Sequence, residues 1–276
     1  MTTVALLKYH GLGNDFLVAL DPVSLPGGAE AEPGFVRAAC DRHRGFGADG
    51  LVVARPPSHG GDVAMELRNA DGSRAETSGN GLRCLALALR DAGLVTSREM
   101  TVETDGGTRR CVVGERSSRW CAEVRVEMGP VVLEGEVPPP AGLARGWRAF
   151  LATTGNPHLV LVGGGSEALD LAAVGPALEA GRPGGQNVEA VRVAGDALDL
   201  SVWERGAGLT QACGSGSVAA AAVARSLGLV ADRVLVRNPG GPVLVTLREA
   251  AGELLAEIEG PACRVGRVEL ELEAVT

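Results

Sequence analysis

The chain has 276 residues, 45% of them hydrophobic and 22% charged, with a formal net charge of −8. That length buries a substantial core and suits two domains of ordinary size, and the composition excludes a largely disordered chain. The acidic balance, with three Trp, one Tyr and four Phe, excludes a nucleic-acid surface built on clustered Lys and Arg and on stacked bases.

No apolar run reaches the ~18 residues of a membrane helix, and MTTVALLKYHGLGND has only a short apolar stretch before Lys8. No membrane association is expected, and a cytoplasmic location is. The six cysteines Cys40, Cys84, Cys111, Cys121, Cys213 and Cys263 lie far apart, with no CxxC pair and no His at metal-ligand spacing. Zinc is not expected, and in a reducing cytosol most of these residues, Cys213 apart, read as small buried apolar groups.

The first half reads as strand VALLKYH, Gly-rich loop GLGNDF, strand FLVAL and a helix near residues 32–42. Strands LVVARP and AMELRNA follow, then a turn at Asp71 and Gly72 and a helix after Ser78. After Gly93 come strands MTVETD, RRCVVG and AEVRVEMG. The loop LEGEVPPPAG reads as an interdomain connection or surface excursion, because consecutive prolines cannot join a sheet ladder. The second half repeats the order: strand RAFLATTG, loop GNPH, strand LVLVGG, a helix near residues 166–181, strands NVEAVRVA and LDLSVWER, and a helix after Cys213. RVLVRN, PVLVTLRE, ELLAEIEG and RVGRVELELE close the chain as strands.

Two stretches match within this plan. ETSGNGLRCLALALR and TQACGSGSVAAAAVAR each place a small nucleophilic residue before Gly-polar-Gly and an apolar helix, with Ser78 and Cys213 standing 135 residues apart. A period this long implies a duplicated domain. The expected domains are 1–129, completed by a C-terminal strand over 266–276, and 130–265. Ligand is expected in the cleft between them, where the twin turns can face each other. A helix start exposes unpaired N–H groups and about half a positive charge, so it holds anions and is expected to lower the pKa of a thiol placed there. Helix capping alone accounts for one such turn, but not for two turns each preceded by a polar loop, NADGSRAE and WERGAG.

Other motifs point to no cofactor. GFGADG, Gly45–Gly50, has the dinucleotide spacing but runs from helix to strand, the reverse of the order phosphate binding needs, and reads as a tight turn. GGGSEALDL lacks the spacing and Lys of a phosphate loop, and no nucleophile elbow surrounds Ser78. His10, His43, His59 and His158 form no metal-binding pattern.

KYHGLGNDF, RNADGSRAETSGNGLRC, TGNPH, GQNVEAV, WERGAG and ACGSG, in that order and over nearly the whole chain, resemble the diaminopimelate epimerase family. The resemblance implies an α/β (α+β) fold of two pseudo-symmetric domains, each a curved, barrel-like sheet around a central helix, with the active site in the interdomain cleft. It implies an isomerase for LL-2,6-diaminopimelate that needs neither pyridoxal phosphate nor metal, in which two cysteines work on opposite faces of the α-carbon. Cys213 matches one of these, and Ser78 occupies the place of the other. Asn14, Asn69, Asn156 and Asn187 match side chains that hold the substrate's polar ends, although three of them also suit turns. Glu204 and Arg205 match an acidic-basic pair, Arg205 binding the distal carboxylate. Gly79, Asn80, Gly214 and Ser215 fall in the turns around the α-carboxylate. The partner is thus a small amino acid, and a homodimer is the default for such folds.

Two departures stand out. Many family members carry Gln where Gly50 stands, and Ser78 replaces a thiol. Three readings of Ser78 stay open: an engineered Cys→Ser form, a natural variant with reduced or asymmetric activity, or a fold turned to another task. The last covers racemisation, isomerisation or elimination with Cys213 as sole thiol, and amino-acid binding without turnover. Cys84, in the same helix as Ser78, points away from its start and reads as structural.

Overall fold

The structure is a computed structural model that describes residues 3–28, 30–141, 143, 146–163 and 169–274. The chain divides into two compact units, Met1–Val126 with Gly260–Thr276, and Glu127–Glu259. The first contains β1 (Thr3–Gly11), β2 (Asn14–Ala19), α1 (Pro33–Cys40), β3 (Gly50–Arg55), β4 (Val63–Asn69), α2 (Gly79–Asp91), β5 (Glu99–Thr104) and β6 (Gly107–Arg116). The second contains β8 (Trp147–Thr153), β9 (Pro157–Gly163), α3 (Leu171–Glu179), β10 (Asn187–Ala194), β11 (Ala197–Glu204), β12 (Gly208–Leu209), α4 (Gly214–Ser226), β13 (Arg233–Asn238) and β14 (Gly241–Ala250). Two long strands, β7 (Cys121–Val137) and β15 (Glu253–Glu271), run through both.

The units repeat one topology. In the first the hydrogen-bonded order is β15-β1-β2-β3-β4-β5-β6-β7; in the second it is β7-β8-β9-β10-β11-β13-β14-β15. The parallel pairs β2/β3 and β9/β10 are bridged by α1 and α3, and the parallel pairs β4/β5 and β11/β13 by α2 and α4. Such pairs need a crossover, and a helix supplies it. The registers match residue for residue: Phe16 lies opposite Gly50 in one unit and His158 opposite Asn187 in the other. Two residues further along each strand, Val52 and Glu189 are therefore equivalents.

α2 and α4 are the central helices. Residues 79–89 of α2 are all buried, with β1, β2, β3, β4 and β6 packed about it. α4 is buried at Gly214 and from Gly216 to Ala224, where Ala219–Ala222 let the surrounding strands come close. A helix buried on every side is built largely of apolar or small residues, and in α2 the exceptions are Asn80 and Arg83. α1 and α3 instead bury one face each, through Phe35, Val36 and Ala39, and through Leu171 and Leu178. Gly175 is required in α3, because a Cβ there would enter the ring of Trp203.

Several sequence expectations shift. β1 and β2 form a hairpin closed on Leu12 (φ 58°) and Gly13 (φ 84°), so Asn14 opens a strand instead of lying in a loop. β7 continues through LEGEV to Val137, and only the prolines that follow leave the sheet. ELLAEIEG and RVGRVELELE are one strand, β15, and the helix expected near 166–181 is seen as α3 from Leu171, its first residues lying outside the described ones. Cys121 and Cys263 are not isolated apolar residues: they form a disulfide between β7 and β15 within the first unit. Pairing distant strands brings together thiols separated by 142 residues in sequence, a proximity that local spacing cannot reveal. Cys40, Cys84, Cys111 and Cys213 are buried and outside this disulfide, and burial pushes the thiols of Cys40 and Cys84 up to about 12.

Glu103, at the end of β5, pins the 58–61 loop by accepting from the N–H groups of Ser58 (2.8 Å), His59 (2.6 Å) and Gly61 (2.8 Å). The Ser58 and Gly61 amides lead in holding its carboxyl down at about 2. A depressed carboxyl pKa stabilises the fold above the unfolded value near ~4.3, and that contribution is lost as pH falls through the folded value. Glu103→Gln is thus expected to lower the urea midpoint at pH 7 and to flatten the fall in stability between about pH 5 and pH 2. Equal acid limbs for both proteins would contradict this.

Candidate active site

Ser78 and Cys213 occupy the same local structure. Each is the N-cap of a 13-residue helix in extended backbone, with φ/ψ of −147°/123° and −122°/118°. Ser78 Oγ accepts from the N–H of Gly81 at 3.1 Å, and Cys213 Sγ from the N–H of Gly216 at 3.4 Å. A side chain on Gly81 would crowd Ser78, and one on Gly216 would meet Glu189 Oε1 at 2.7 Å. The glycines leave room for the capping side chains and, at Gly216, for Glu189.

The surroundings differ. Cys213 is buried, its N–H donates to Asn238 Oδ1 at 3.4 Å, and its sulfur lies 3.4 Å from Ser215 Oγ. The carboxyl of Glu204 acts on the thiol electrostatically and accepts a short bond from Thr210 Oγ1. Beneath it, Glu189 and His158 are fully buried, with Nδ1 2.7 Å from Oε1. His158 Nε2 lies 2.9 Å from both Thr154 Oγ1 and Asn156 Oδ1. Glu189 Oε2 has no hydrogen-bond partner among the described residues. The equivalents of Glu189 and His158 in the first unit are the apolar Val52 and Phe16.

This arrangement corrects the expectation of a lowered thiol pKa. Burial, then the carboxyls of Glu204 and Glu189, raise Cys213 well above the ordinary thiol value, against the smaller pull of Ser215 and the Gly216 N–H. Burial likewise raises Glu204, opposed by the bond from Thr210 and then by the Cys213 thiol. A carboxylate beside the thiol outweighs the half-charge of a helix start, whose effect is about 0.3–2 kcal/mol. In the ligand-free protein, Cys213 is therefore expected to be alkylated by iodoacetamide with a pH midpoint above that of a free thiol. A midpoint at or below the free-thiol value, with the modified residue identified by peptide mass, would contradict this.

The other expected site residues divide between the units. In the first, Asn80 Nδ2 donates to Asn14 Oδ1 (2.9 Å) and Asn14 Nδ2 to Asp49 Oδ2 (2.7 Å). Asn69 donates to Ser73 Oγ at 3.0 Å within the 69–73 turn. Gly79 lies in the first turn of α2. Gly50 starts β3 against β4, and a Cβ there would run into the carbonyl of Arg68, so any side chain at this position needs a backbone shift. In the second unit, Asn156 is joined to His158, and Gly214 and Ser215 form the first turn of α4. Asn187 accepts from the Arg205 N–H (2.9 Å) and donates to Pro157 O (3.4 Å), which fixes the corner that presents Glu204 and Arg205. The exposed Arg205 lies along Gly185 with Nη1 3.4 Å from Gly184 O.

Sequence reasoning missed His158, Glu189, Asp49, Asn238 and Glu179. Glu179 accepts from Trp203 Nε1 (2.7 Å) and the Gly206 N–H (3.0 Å), and so clamps the same corner from α3. The available signal was a charged residue inside an apolar strand run, as in NVEAV for Glu189.

A family model described as diaminopimelate epimerase matches residues 6–134 and 150–265. The diaminopimelate epimerase of Desulforudis audaxviator is 40% identical over 92% of this chain and 95% of its own length, and that of Rhodospirillum centenum 39% identical over 85% and 82%. Among solved structures, a PhzF-family phenazine biosynthesis protein of Bacillus anthracis matches with a TM-score of 0.78 at 17% identity, covering 98% of this chain and 100% of its own. A probable proline racemase of Agrobacterium radiobacter K84 matches at 0.75 and 19%, covering 98% and 93%. These two share the fold.

Proposed function

The chain belongs to the diaminopimelate epimerase family, and on that premise we propose that it converts LL-2,6-diaminopimelate to the meso isomer by proton transfer at one α-carbon. The observation that carries the reading is Cys213 capping α4, with the carboxyl of Glu204 acting on its thiol and a buried Glu189–His158 pair beneath it. That is the setting of a proton carrier whose charge state answers to its neighbours.

In this reading the N–H groups of the two Gly-rich turns, at Gly79–Asn80 and Gly214–Ser215, hold the α-carboxylate, where negative charge grows as the α-proton leaves. The substrate's α-ammonium offsets the carboxyls around Cys213 and favours its thiolate. The thiolate takes the α-proton and becomes a thiol, the electron pair stays on the carbanion, and Ser78 delivers the replacement proton, re-supplied from solvent. Arg205, with Asn69, Asn156 and Asn187, receives the distal amino-acid end, and Asn14 and Asn80 the proximal one.

The same reading makes the enzyme independent of pyridoxal phosphate. Lys8, the only lysine in the sequence, lies in β1 paired with Asp15 at 2.5 Å and bonded to Gly47 O, which does not fit a Schiff-base lysine. The reading includes a cytoplasmic homodimer, which sedimentation tests. Among the described residues no helix is long and apolar enough to cross a membrane.

Incubating the protein with LL-diaminopimelate in D₂O is expected to replace the α-hydrogen by deuterium and to produce the meso isomer, followed by proton NMR and chiral chromatography. Binding without any exchange would sink the epimerase reading.

A further inference from the structure

α2 and α4 begin alike but diverge one turn in, where α2 carries Arg83 and α4 carries Val218. Arg83 is fully buried, and burial lowers its pKa to about 10, so it remains charged at neutral pH. Its Nη2 donates to Asn80 Oδ1 at 2.6 Å, whereas Nε and Nη1 find no hydrogen-bond acceptor among the described residues. Its side chain reaches back toward the helix start, as long side chains on helices do, and Gly11 leaves room there: a Cβ on Gly11 would stand 3.0 Å from Nη2.

The bond to Asn80 is one end of a directed chain. Asn80 donates to Asn14, Asn14 donates to Asp49 Oδ2, and Arg42 donates to Asp49 Oδ1 at 2.7 Å. A guanidinium can only donate and a carboxylate can only accept, so both ends demand the same orientation of the two amides. Burying a cation without a carboxylate bonded to it is costly, and an apolar residue of similar length is often neutral or stabilising at such a site. The cost needs an offsetting gain, and the charge is bonded to Asn80 in the first turn of α2, where anions are favoured.

We propose that Arg83 is a positioning residue for the substrate α-carboxylate: its charge backs the first turn of α2, and its bond to Asn80 fixes the polarity of the Asn80–Asn14 pair. The proposal rests on the function given above and names a residue that acts without touching the substrate.

The test is calorimetric titration of LL-diaminopimelate into a non-reacting Cys213→Ala protein, with and without Arg83→Met, together with KM and kcat of the Arg83 variants in the Cys213 protein. Arg83→Met is expected to weaken binding about tenfold and to raise KM to match, with kcat changed less than about threefold and the melting temperature unchanged or higher. Arg83→Lys, which keeps the charge, is expected within about threefold of the parent. Unchanged binding by folded Arg83→Met overturns the proposal, as does a Lys variant as weak as the Met variant with a lowered melting temperature, since that marks a structural role. Should Arg83→Met not fold, Arg83→Gln, which keeps an N–H for Asn80 without the charge, is expected to show the same tenfold loss, and undiminished binding by it overturns the proposal. No binding by Cys213→Ala itself overturns the substrate reading together with this one, whereas failure of the Arg83 variants alone leaves that reading standing.

Discussion

Ser78→Cys is expected to raise the rate of LL-to-meso conversion by about 10²–10⁴-fold, the range a well-matched general acid-base adds. A thiol has an ordinary pKa of about 8.5, whereas a hydroxyl resembles water at about 15.7, so forming the charged base costs on the order of 10 kcal/mol more. The helix start returns about 2 kcal/mol at most. The local structure accepts the exchange: Ser78 and Cys213 share cap geometry, and the apolar Val52 lies where Glu189 lies beneath Cys213. The new thiol would stand on the helix that carries Arg83 and lack a buried carboxylate beneath it, so it is expected to ionise at lower pH than Cys213. Cys213→Ser should show the converse, a loss of at least about 10³-fold with the fold intact. Rates measured by coupled assay and by deuterium wash-in decide the matter. No gain from the thiol at position 78 would mean that a relayed hydroxyl suffices and that the two-thiol logic does not govern this protein.

The Gly-rich helix starts were legible in the sequence because a cap and its glycines are local: the residue, the N–H it accepts from and the glycines all lie within four positions. The duplicated strand-helix order was legible for the same reason. What surrounds the caps was not. Glu189 reaches Cys213 through the parallel pairing of β9 and β10 and the crossover α4, and its partner His158 stands 31 residues away in sequence. The direction of the Cys213 shift reversed with it, since a half-charge readable from the motif is outweighed by burial and then by carboxyls that only tertiary pairing brings near. Asn187 shows a subtler limit. The motif marks it for the substrate, whereas its oxygen holds the Arg205 backbone, and this sets up the corner that carries the distal-end residues.

The other large effect concerns stability. Glu66→Ala is expected to lower the unfolding free energy by about 3–5 kcal/mol, the cost of leaving buried charges unpaired. Glu66 is 5% exposed in β4 and bonds Arg55 at 2.6 Å and Arg68 at 2.9 Å, while its Oε1 also accepts from the Ala31 N–H at 3.1 Å. Arg55 in turn holds Gly28 O at 2.6 Å, so one carboxylate ties Gly28 and Ala31 to the sheet. Removing it takes the carboxylate from Arg55, leaves Arg68 to the exposed Glu30 at 3.3 Å and to Gly72 O, and frees the Ala31 N–H. Burial resists ionisation of Glu66, but the two arginines and the Ala31 amide prevail and hold its carboxyl below the ordinary value. A lowered folded pKa gives stability that is present above the unfolded carboxylate value near ~4.3 and is lost as pH falls through the folded value, so the variant should differ most near pH 7 and least in strong acid. Urea unfolding across that range measures the difference. A Glu66→Leu, Arg55→Met, Arg68→Met triple variant is expected to recover most of the loss, because the penalty lies in the unpaired charge and not in the absence of an ion pair. Were the triple variant no more stable than Glu66→Ala, the anchor on Gly28 and Ala31 would be the larger part of what Glu66 contributes.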